Sequence, residues 1–208
     1  MDDSSAKSDA AASAQQPGFF RRWMGKLMPD SGSSDPRKLG KWGGIIAGAY
    51  LLIAAAVGVY WSNTPDHFDV RENAARYAAA TEQDVVTGTA TVATLQETIR
   101  ILLEKPGGYL HNDLFPPGVW LDNMPNWEYG VLVQSRDLAR ALREVLSRSQ
   151  SQSKEDVDLT LAEPRINFQS KSWILPASES EYRDALRFLE AYRARLAVTG
   201  QNSAQFYA

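Results

Sequence analysis

The chain has 208 residues, a length that allows one membrane span and one domain of ordinary size. Of its 22 basic and 25 acidic residues, 15 and 20 follow Lys41, so no basic excess favours nucleic acid as a partner. Cysteine is absent, which excludes disulfides, a thiol nucleophile and a thiolate metal site.

Residues 1–41 precede the first long apolar stretch. Residues 1–17 are small and polar without apolar periodicity, which predicts a disordered tail. The segment Phe19–Met28 interleaves large apolar residues with arginine and lysine, so it is either an amphipathic segment on an anionic leaflet or a basic cluster that only sets topology. Pro29–Pro36 is rich in serine, glycine and proline and predicts a flexible break.

The stretch from Trp42 to Trp61 contains no charged residue, proline or amide. As a helix of about 1.5 Å per residue it reaches ~30 Å, the thickness of a bilayer's hydrocarbon core. Trp42, Tyr60 and Trp61 are aromatic residues of the kind that settle at headgroup level. The sequence therefore predicts one transmembrane helix over residues 42–61, with the buried helix of a soluble domain as the alternative.

Basic residues predict the orientation of this span. Six precede it from Arg21 onwards, whereas the first twenty residues after it contain only Arg71 and Arg76. By the positive-inside rule the N-terminus stays in the cytoplasm and residues 62–208 lie outside. A signal peptide cleaved at Ala54-x-Ala56 is the alternative, but more than forty residues precede the apolar core, and a signal peptide has only a short basic region there.

Small residues recur within and just before the span. Gly40, Gly44 and Gly48 are four residues apart, and Ala54 precedes Gly58 by the same interval. Such a face lets two helix backbones approach closely, which predicts pairing with a second copy of the chain. Glycine is also common in membrane helices that do not pair.

The outer region is predicted to be mainly α-helical with one long ordered loop. Pro65 and Asp66–Asp69 resemble a helix entry before Glu72–Gln83. A second helix is predicted over Thr89–Lys105, where apolar residues recur at helical spacing until Pro106.

The loop covers residues 107–126. It has three prolines and three glycines but is too apolar to be left in water. A third helix is predicted from Pro125, with Trp127, Val131, Leu138, Leu142 and Val145 as its apolar positions.

The remaining elements lie nearer the end of the chain. The polar stretch Ser147–Asp158 predicts an exposed loop, and the short apolar runs around Ile166 and Trp173 predict a hairpin or coil. The last helix begins at a capping box of Ser178 and Glu181 and ends before Gly200.

Candidate chemistry is concentrated in the loop. His111 with Asp113 and Asp122 can serve acid-base or metal chemistry, or these residues can simply satisfy turn backbone groups. No known catalytic, metal or cofactor motif is present, so no catalytic residue, metal or cofactor is predicted. Residues Tyr109, Phe115, Trp120, Trp127 and Tyr129 can form an aromatic groove or belong to the core.

Three arginines follow on the third helix of the outer region. Arg136, Arg140 and Arg143 share a face that can meet phosphate or a partner's carboxylates. Asp137 and Glu144 are close enough to make it an ordinary solvated face instead.

The motifs KPGGYLHNDLFPPGVWLDNMPNWEYGVLVQSRDLARALR, SRSQSQSKEDVDL, AEPRINF, SWILP and SESEYRDAL resemble those of domain of unknown function 2333, a proteobacterial family of single-span envelope proteins. The resemblance covers roughly residues 86–208 and implies a Gram-negative inner membrane with the outer domain in the periplasm. It implies no substrate, cofactor or catalytic residue. Family members continue past the equivalent of QFYA, which implies that the outer domain extends beyond Ala208.

The sequence is compatible with three functions. The first is a non-enzymatic inner-membrane protein whose periplasmic domain binds another envelope protein or a second copy, with the lipid bilayer as its other partner. The second is a periplasmic hydrolase that uses His111, Asp113, Asp122 and Glu128. The third is a cell-wall glycan-binding module that uses Trp120 and Trp127.

Overall fold

The computed structural model describes residues 36–148, 154–200 and 203–207. Within these ranges the chain forms helices and loops and no strand, which confirms the predicted mainly α fold. The hairpin alternative is therefore wrong, because Ile166 ends a helix and Trp173 lies in a loop. The predicted tail and basic segment, residues 1–35, lie outside the described residues.

Six α-helices follow one another along the described chain. They are α1 (Pro36–Trp61), α2 (Val70–Ala79), α3 (Thr89–Glu104), α4 (Asn123–Ala141), α5 (Val157–Ile166) and α6 (Ser178–Leu196). A single 3-10 turn, Gly118–Trp120, interrupts the long loop between α3 and α4, and α4 continues into a π-helical turn, Leu142–Leu146.

Helix α1 is long and apolar enough to cross a membrane over Arg37–Trp61, with a mean hydropathy of 1.9. It begins six residues before the predicted span, because Pro36 occupies a first turn in which its missing N–H is not needed. The chain divides into two compact units, Met1–Ala49 and Tyr50–Ala208. The end of α1 therefore belongs by packing to the second unit, whereas the predicted domain boundary falls after Trp61.

The core of the second unit lies among α3, α4, α5 and α6, while α2 packs on α3. Helix α3 supplies a stripe at helical spacing, and its prediction over Thr89–Lys105 is confirmed to within one residue. The core residues with the least exposed side chains include Val92, Leu102, Leu142, Ile166, Tyr182 and Leu189. Burying each such side chain contributes about 1.5–3 kcal/mol, so this cluster is the main source of stability.

The buried face of α4 differs from the predicted one. Leu132, Ala139 and Leu142 are buried together with Glu128, whereas Trp127 is only half-buried and Val145 is exposed. Glu128 interrupts the row of apolar residues on the buried face. The spacing of apolar residues therefore predicts a neighbouring face of the helix as the buried one. The helix also begins two residues before Pro125, within the predicted loop.

The start of α6 corrects a second prediction. Ser178 does not cap the helix, because the N-cap position is Ala177 and carries no side-chain cap. The Ser178 hydroxyl instead donates to the carbonyl of Gln169 at 2.6 Å and accepts from the Ser172 amide at 3.2 Å. Gly200 is not the C-cap either, since the helix ends at Leu196.

Helices α2 and α3 meet through polar side chains. The Asp69 carboxylate caps α2 by accepting from the amides of Arg71 and Glu72 at 2.9 Å each, as an acidic residue at the helix entry is expected to do. Pro65 is not in the first turn, because the helix begins at Val70 and ends at Ala79, four residues before the predicted end at Gln83. On α3, the buried Glu97 accepts from the Tyr77 hydroxyl at 3.0 Å and pairs with Arg100 at 2.7 Å. Burial and the adjacent carboxylate raise the pKa of Tyr77 to about 12, so its hydroxyl remains a donor at neutral pH.

Candidate functional site

A buried ion pair lies at the base of the loop between α3 and α4. Lys105 follows the last residue of α3, and its Nζ is 2.5 Å from an oxygen of Glu128 on α4. The two side chains are 1% and 0% exposed. Lys105 also donates to the Gly108 carbonyl at 2.6 Å. The pair joins the end of α3 to α4 across the interior of the domain. It was not predictable from the sequence, because the two residues are far apart in the chain and no local motif contains both.

Glu128 also binds the backbone of the loop. Its carboxylate accepts from the Leu110 amide at 3.0 Å and from the His111 amide at 2.7 Å. Burial raises the pKa of the Glu128 carboxyl, while Lys105 and these amides favour its ionised form. Because both oxygens already have partners, Glu128 holds the loop in place and offers no free atom to a substrate.

His111 has one nitrogen engaged and one buried without a partner. Nδ1 is 3.0 Å from the Pro125 carbonyl, which accepts only, so the proton is on Nδ1. Nε2 has no hydrogen-bond partner within the described part of the chain. The ring stacks on Tyr129 with 5.2 Å between centroids. Burial lowers the pKa of the His111 imidazole, and the charges of Lys171 and Arg136 lower it further.

This depressed pKa predicts a pH dependence of stability. The unfolded chain binds a proton on the histidine near its ordinary pKa of about 6.5, whereas the folded chain does so only at lower pH. Stability should therefore fall as pH decreases below about 6.5. His111→Asn keeps a donor towards Pro125 and should reduce this dependence, measured by denaturant unfolding at pH 7.5 and 5.5. An equal loss of stability between the two pH values in His111→Asn and in the unsubstituted chain would contradict the prediction.

Tyr109 and Asn112 attach the loop to the segment before α6. The Tyr109 hydroxyl donates to the Ser170 carbonyl at 3.0 Å, and its ring meets that of Tyr182 edge-on. Asn112 Nδ2 donates to the Ser172 carbonyl and to Glu179, each at 2.9 Å. Both side chains are buried. Tyr109 therefore belongs to the core, as the alternative interpretation predicted, and is not part of an open groove.

The middle of the loop turns outward. Asp113 is half-buried and packs against Gly118. A Cβ at position 118 would lie only 1.9 Å from Oδ2 of Asp113, so only glycine fits at that position. Burial raises the pKa of the Asp113 carboxyl, and the charges of Glu128 and Glu179 add to that effect. Phe115 and Trp120 are exposed, and the Phe115 ring meets Trp173 with 6.1 Å between centroids. Asp122 is exposed just before α4.

The outward part of the loop packs along the end of α1. A Cβ on Gly58 would lie 3.5 Å from Pro117 and 3.8 Å from Leu121, and Ala54 is buried on the same face. The Ala54–Gly58 part of the small-residue face therefore contacts the chain's own loop. Nothing lies within 4 Å of a Cβ built on Gly40, Gly44 or Gly48, and their pairing with a second copy stays a prediction.

The three arginines of α4 and its π-helical turn have separate partners. Arg136 donates to the carbonyls of Ile166 and Phe168 at 3.0 and 2.6 Å, where it satisfies the end of α5. Arg143 binds Glu155 and Glu163 at 2.9 Å each, and the exposed Arg140 faces Glu144 at 3.7 Å. They do not form the shared anion-binding face that their spacing allows.

Two cavities border the linker, residues 62–69, between α1 and α2. One, of about 230 Å³, lies between the linker and an apolar wall formed by Ile101, Trp127 and Val131. The other, of about 600 Å³, lies between the same linker and the charged side chains of Glu97, Arg100 and Glu104. We call these two cavities the linker cleft. Of the predicted site residues, only Trp127 lines it.

The predicted residues are therefore divided among several places. Phe115 and Trp120 are at the exposed part of the loop, Trp127 is in the linker cleft, and Tyr109 is in the core. In residues 36–148, 154–200 and 203–207, no three His, Asp or Glu side chains are grouped so as to hold a metal ion. The sequence predicts no site role for the linker or for Lys105. Lys105 stands directly before Pro106 and two glycines, and this pattern indicates the end of a helix and nothing about burial or pairing.

Comparison with known proteins gives one match. A family model matches residues 37–208, which cover nearly all of the described chain. No curated protein and no solved structure matches the chain. The chain belongs to the bacterial family described as "Uncharacterized protein conserved in bacteria (DUF2333)".

Proposed function

We propose that this is a single-pass protein of the bacterial inner membrane that holds its helical domain in the periplasm and binds another envelope protein there. The observation that carries the proposal is the linker cleft, which lies directly after a helix long and apolar enough to span the membrane. Its lining includes residues 63–68, which begin two residues after the end of that helix.

The dimensions of the linker cleft favour a protein segment as its ligand. Its apolar cavity of about 230 Å³ is smaller than the ~300–1,000 Å³ that drug-sized ligands occupy, and it suits one large apolar side chain. The adjoining cavity presents the more exposed side chains of Arg100 and Glu104 to neighbouring polar groups. An extended peptide with one apolar anchor residue beside charged ones matches both walls, and buried anchors of this kind dominate most interfaces.

The basic residues support the orientation. Arg37, Lys38 and Lys41 are exposed on the first turns of α1, while Asp66 and Asp69 follow its other end. Under the positive-inside rule the three basic residues support a cytoplasmic N-terminus. The enzymatic alternative has less support, because Glu128 is saturated by Lys105 and two backbone amides.

One experiment tests both orientation and partner. The chain lacks cysteine, so Thr64→Cys introduces a unique thiol at an exposed position that lines both cavities. In spheroplasts, a membrane-impermeant maleimide that carries a photoreactive group should label Thr64→Cys and not Ser4→Cys. Illumination should then crosslink a defined envelope protein, identified by mass spectrometry.

The control is Val157→Cys, at an exposed position on α5 outside the linker cleft. It should be labelled equally but should capture the partner much less. Labelling of Ser4→Cys in place of Thr64→Cys would reverse the orientation. Equal capture from Thr64→Cys and Val157→Cys would show that the cleft is not the binding surface.

A further inference from the structure

Two loops of the outer domain together expose a surface without polar side chains. Residues 114–121, LFPPGVWL, contain no charged or hydrogen-bonding side chain except the Trp120 indole, and residues 173–175 read WIL. Leu175 is 90% exposed, Phe115 67% and Trp120 54%. The loops meet where Phe115 contacts Trp173. We call residues 114–121 and 173–175 the apolar tip. Most soluble proteins do not leave such a patch in water without a partner.

The apolar tip lies beside the part of α1 that begins at Tyr50. The Pro116 carbonyl is 3.5 Å from the Tyr50 hydroxyl, and Pro117 lies against Gly58. At 1.5 Å per residue, Gly58 and Tyr50 are about 5 and 17 Å along the helix from Trp61. With Trp61 at headgroup level, these two contacts lie within one leaflet, since a leaflet with its headgroups is about 20 Å thick.

Part of the backbone of residues 114–121 needs no hydrogen bond to water. Pro116 and Pro117 have no N–H to satisfy. The amides of Val119, Trp120 and Leu121 donate to carbonyls within the loop at 3.2, 3.0 and 3.0 Å. Irregular backbone at membrane depth is tolerated where it is packed against protein, and here α1 supplies that packing.

Polar residues border the apolar tip on both loops. Asp113 and Asp122 flank residues 114–121. Lys171 and Ser172 precede residues 173–175, and the Ser172 hydroxyl donates to the Pro176 carbonyl at 2.7 Å. At both ends of residues 114–121 the change from a charged to an apolar residue occurs within one position, which is the pattern expected where a loop crosses from the headgroups into hydrocarbon.

We infer that the apolar tip inserts into the periplasmic leaflet beside α1, with lipid acyl chains as its partner. The inference rests on the proposed function in one respect, which is that α1 spans the membrane. The domain then contacts the bilayer at two places, through its anchor and through this second insertion.

Single-cysteine variants of the full chain test the inference. Leu175→Cys in the tip, Ile53→Cys on α1 and Val157→Cys on α5 change side chains that are all exposed, so each should preserve the fold. Each is labelled with an environment-sensitive fluorophore and reconstituted in vesicles of phosphatidylethanolamine and phosphatidylglycerol. Quenching is measured with lipids that carry a nitroxide on the acyl chain and, separately, with aqueous iodide.

We expect Leu175→Cys to be quenched by the nitroxide lipids almost as strongly as Ile53→Cys, and several-fold more than Val157→Cys. The reverse should hold for iodide. If iodide quenches Leu175→Cys while the nitroxide lipids quench Ile53→Cys, the tip does not insert, although α1 still spans the membrane. Iodide quenching of all three would instead contradict the span. Protection of Leu175→Cys from both quenchers would assign the tip to a contact with a second copy of the chain and overturn the inference.

Discussion

Glu128→Gln is expected to destabilise the domain by about 3–5 kcal/mol, the usual cost of leaving one charge of a buried pair without its partner. Lys105 is 1% exposed and cannot reach water without opening the junction of α3 and α4. The change also weakens the acceptor that the Leu110 and His111 amides share. Denaturant unfolding of the detergent-solubilised full chain, followed by circular dichroism, measures the loss.

The matched control is Glu104→Gln, which removes the same charge one residue before Lys105, where the side chain is 64% exposed. It should change stability by less than about 1 kcal/mol. The double variant Lys105→Met with Glu128→Gln should recover much of the lost stability, because no unpaired charge remains buried. Equal unfolding midpoints for Glu128→Gln and Glu104→Gln would show that the pair is not a structural element of the domain.

Gly107→Ala is expected to destabilise the domain by about 2–6 kcal/mol through two separate effects. The residue has a φ of +87°, and a Cβ there would lie 2.7 Å from the ring of Trp61. Holding a non-glycine residue in a left-handed conformation costs about 1–3 kcal/mol, and overpacking costs about the same again. Unfolding in denaturant measures the sum.

Gly200→Ala separates the two effects. Gly200 has a φ of +111°, but nothing lies within 4 Å of a Cβ built on it. This variant should therefore lose only the backbone part, about 1–3 kcal/mol. If both variants lose the same stability, the contact between Gly107 and Trp61 does not hold the loop to the end of α1.

Elements specified by local pattern were predictable from the sequence. The apolar run of α1 and the stripe of α3 each repeat within a few residues of themselves, so composition and spacing were sufficient. The buried face of α4 was not predictable, because Glu128 is buried only by virtue of Lys105, 23 positions earlier in the chain. Likewise Ser178 has the sequence of a cap, but its hydroxyl binds Gln169 in a preceding loop.

The sequence predicts which loop carries exposed aromatic residues, but not which of its aromatic residues are exposed. The proline-rich loop does contain exposed aromatic residues, Phe115 and Trp120. Its composition does not distinguish these from the buried Tyr109, because that difference depends on Ser170 and Tyr182, more than sixty residues later. No sequence motif predicts the linker cleft, because its walls come from three separate segments, the linker, α3 and α4, that only the fold brings together.

The contact of Ala54 and Gly58 with the loop changes where this protein should be cut for study. Hydropathy suggests a soluble fragment that starts after Trp61, but such a fragment would leave Pro117 and Leu121 without the helix surface on which they rest. Replacing α1 with an unrelated apolar helix would remove the same surface. The packing boundary at Tyr50 makes the last three turns of α1 part of the folding unit, so α1 is not an exchangeable tether.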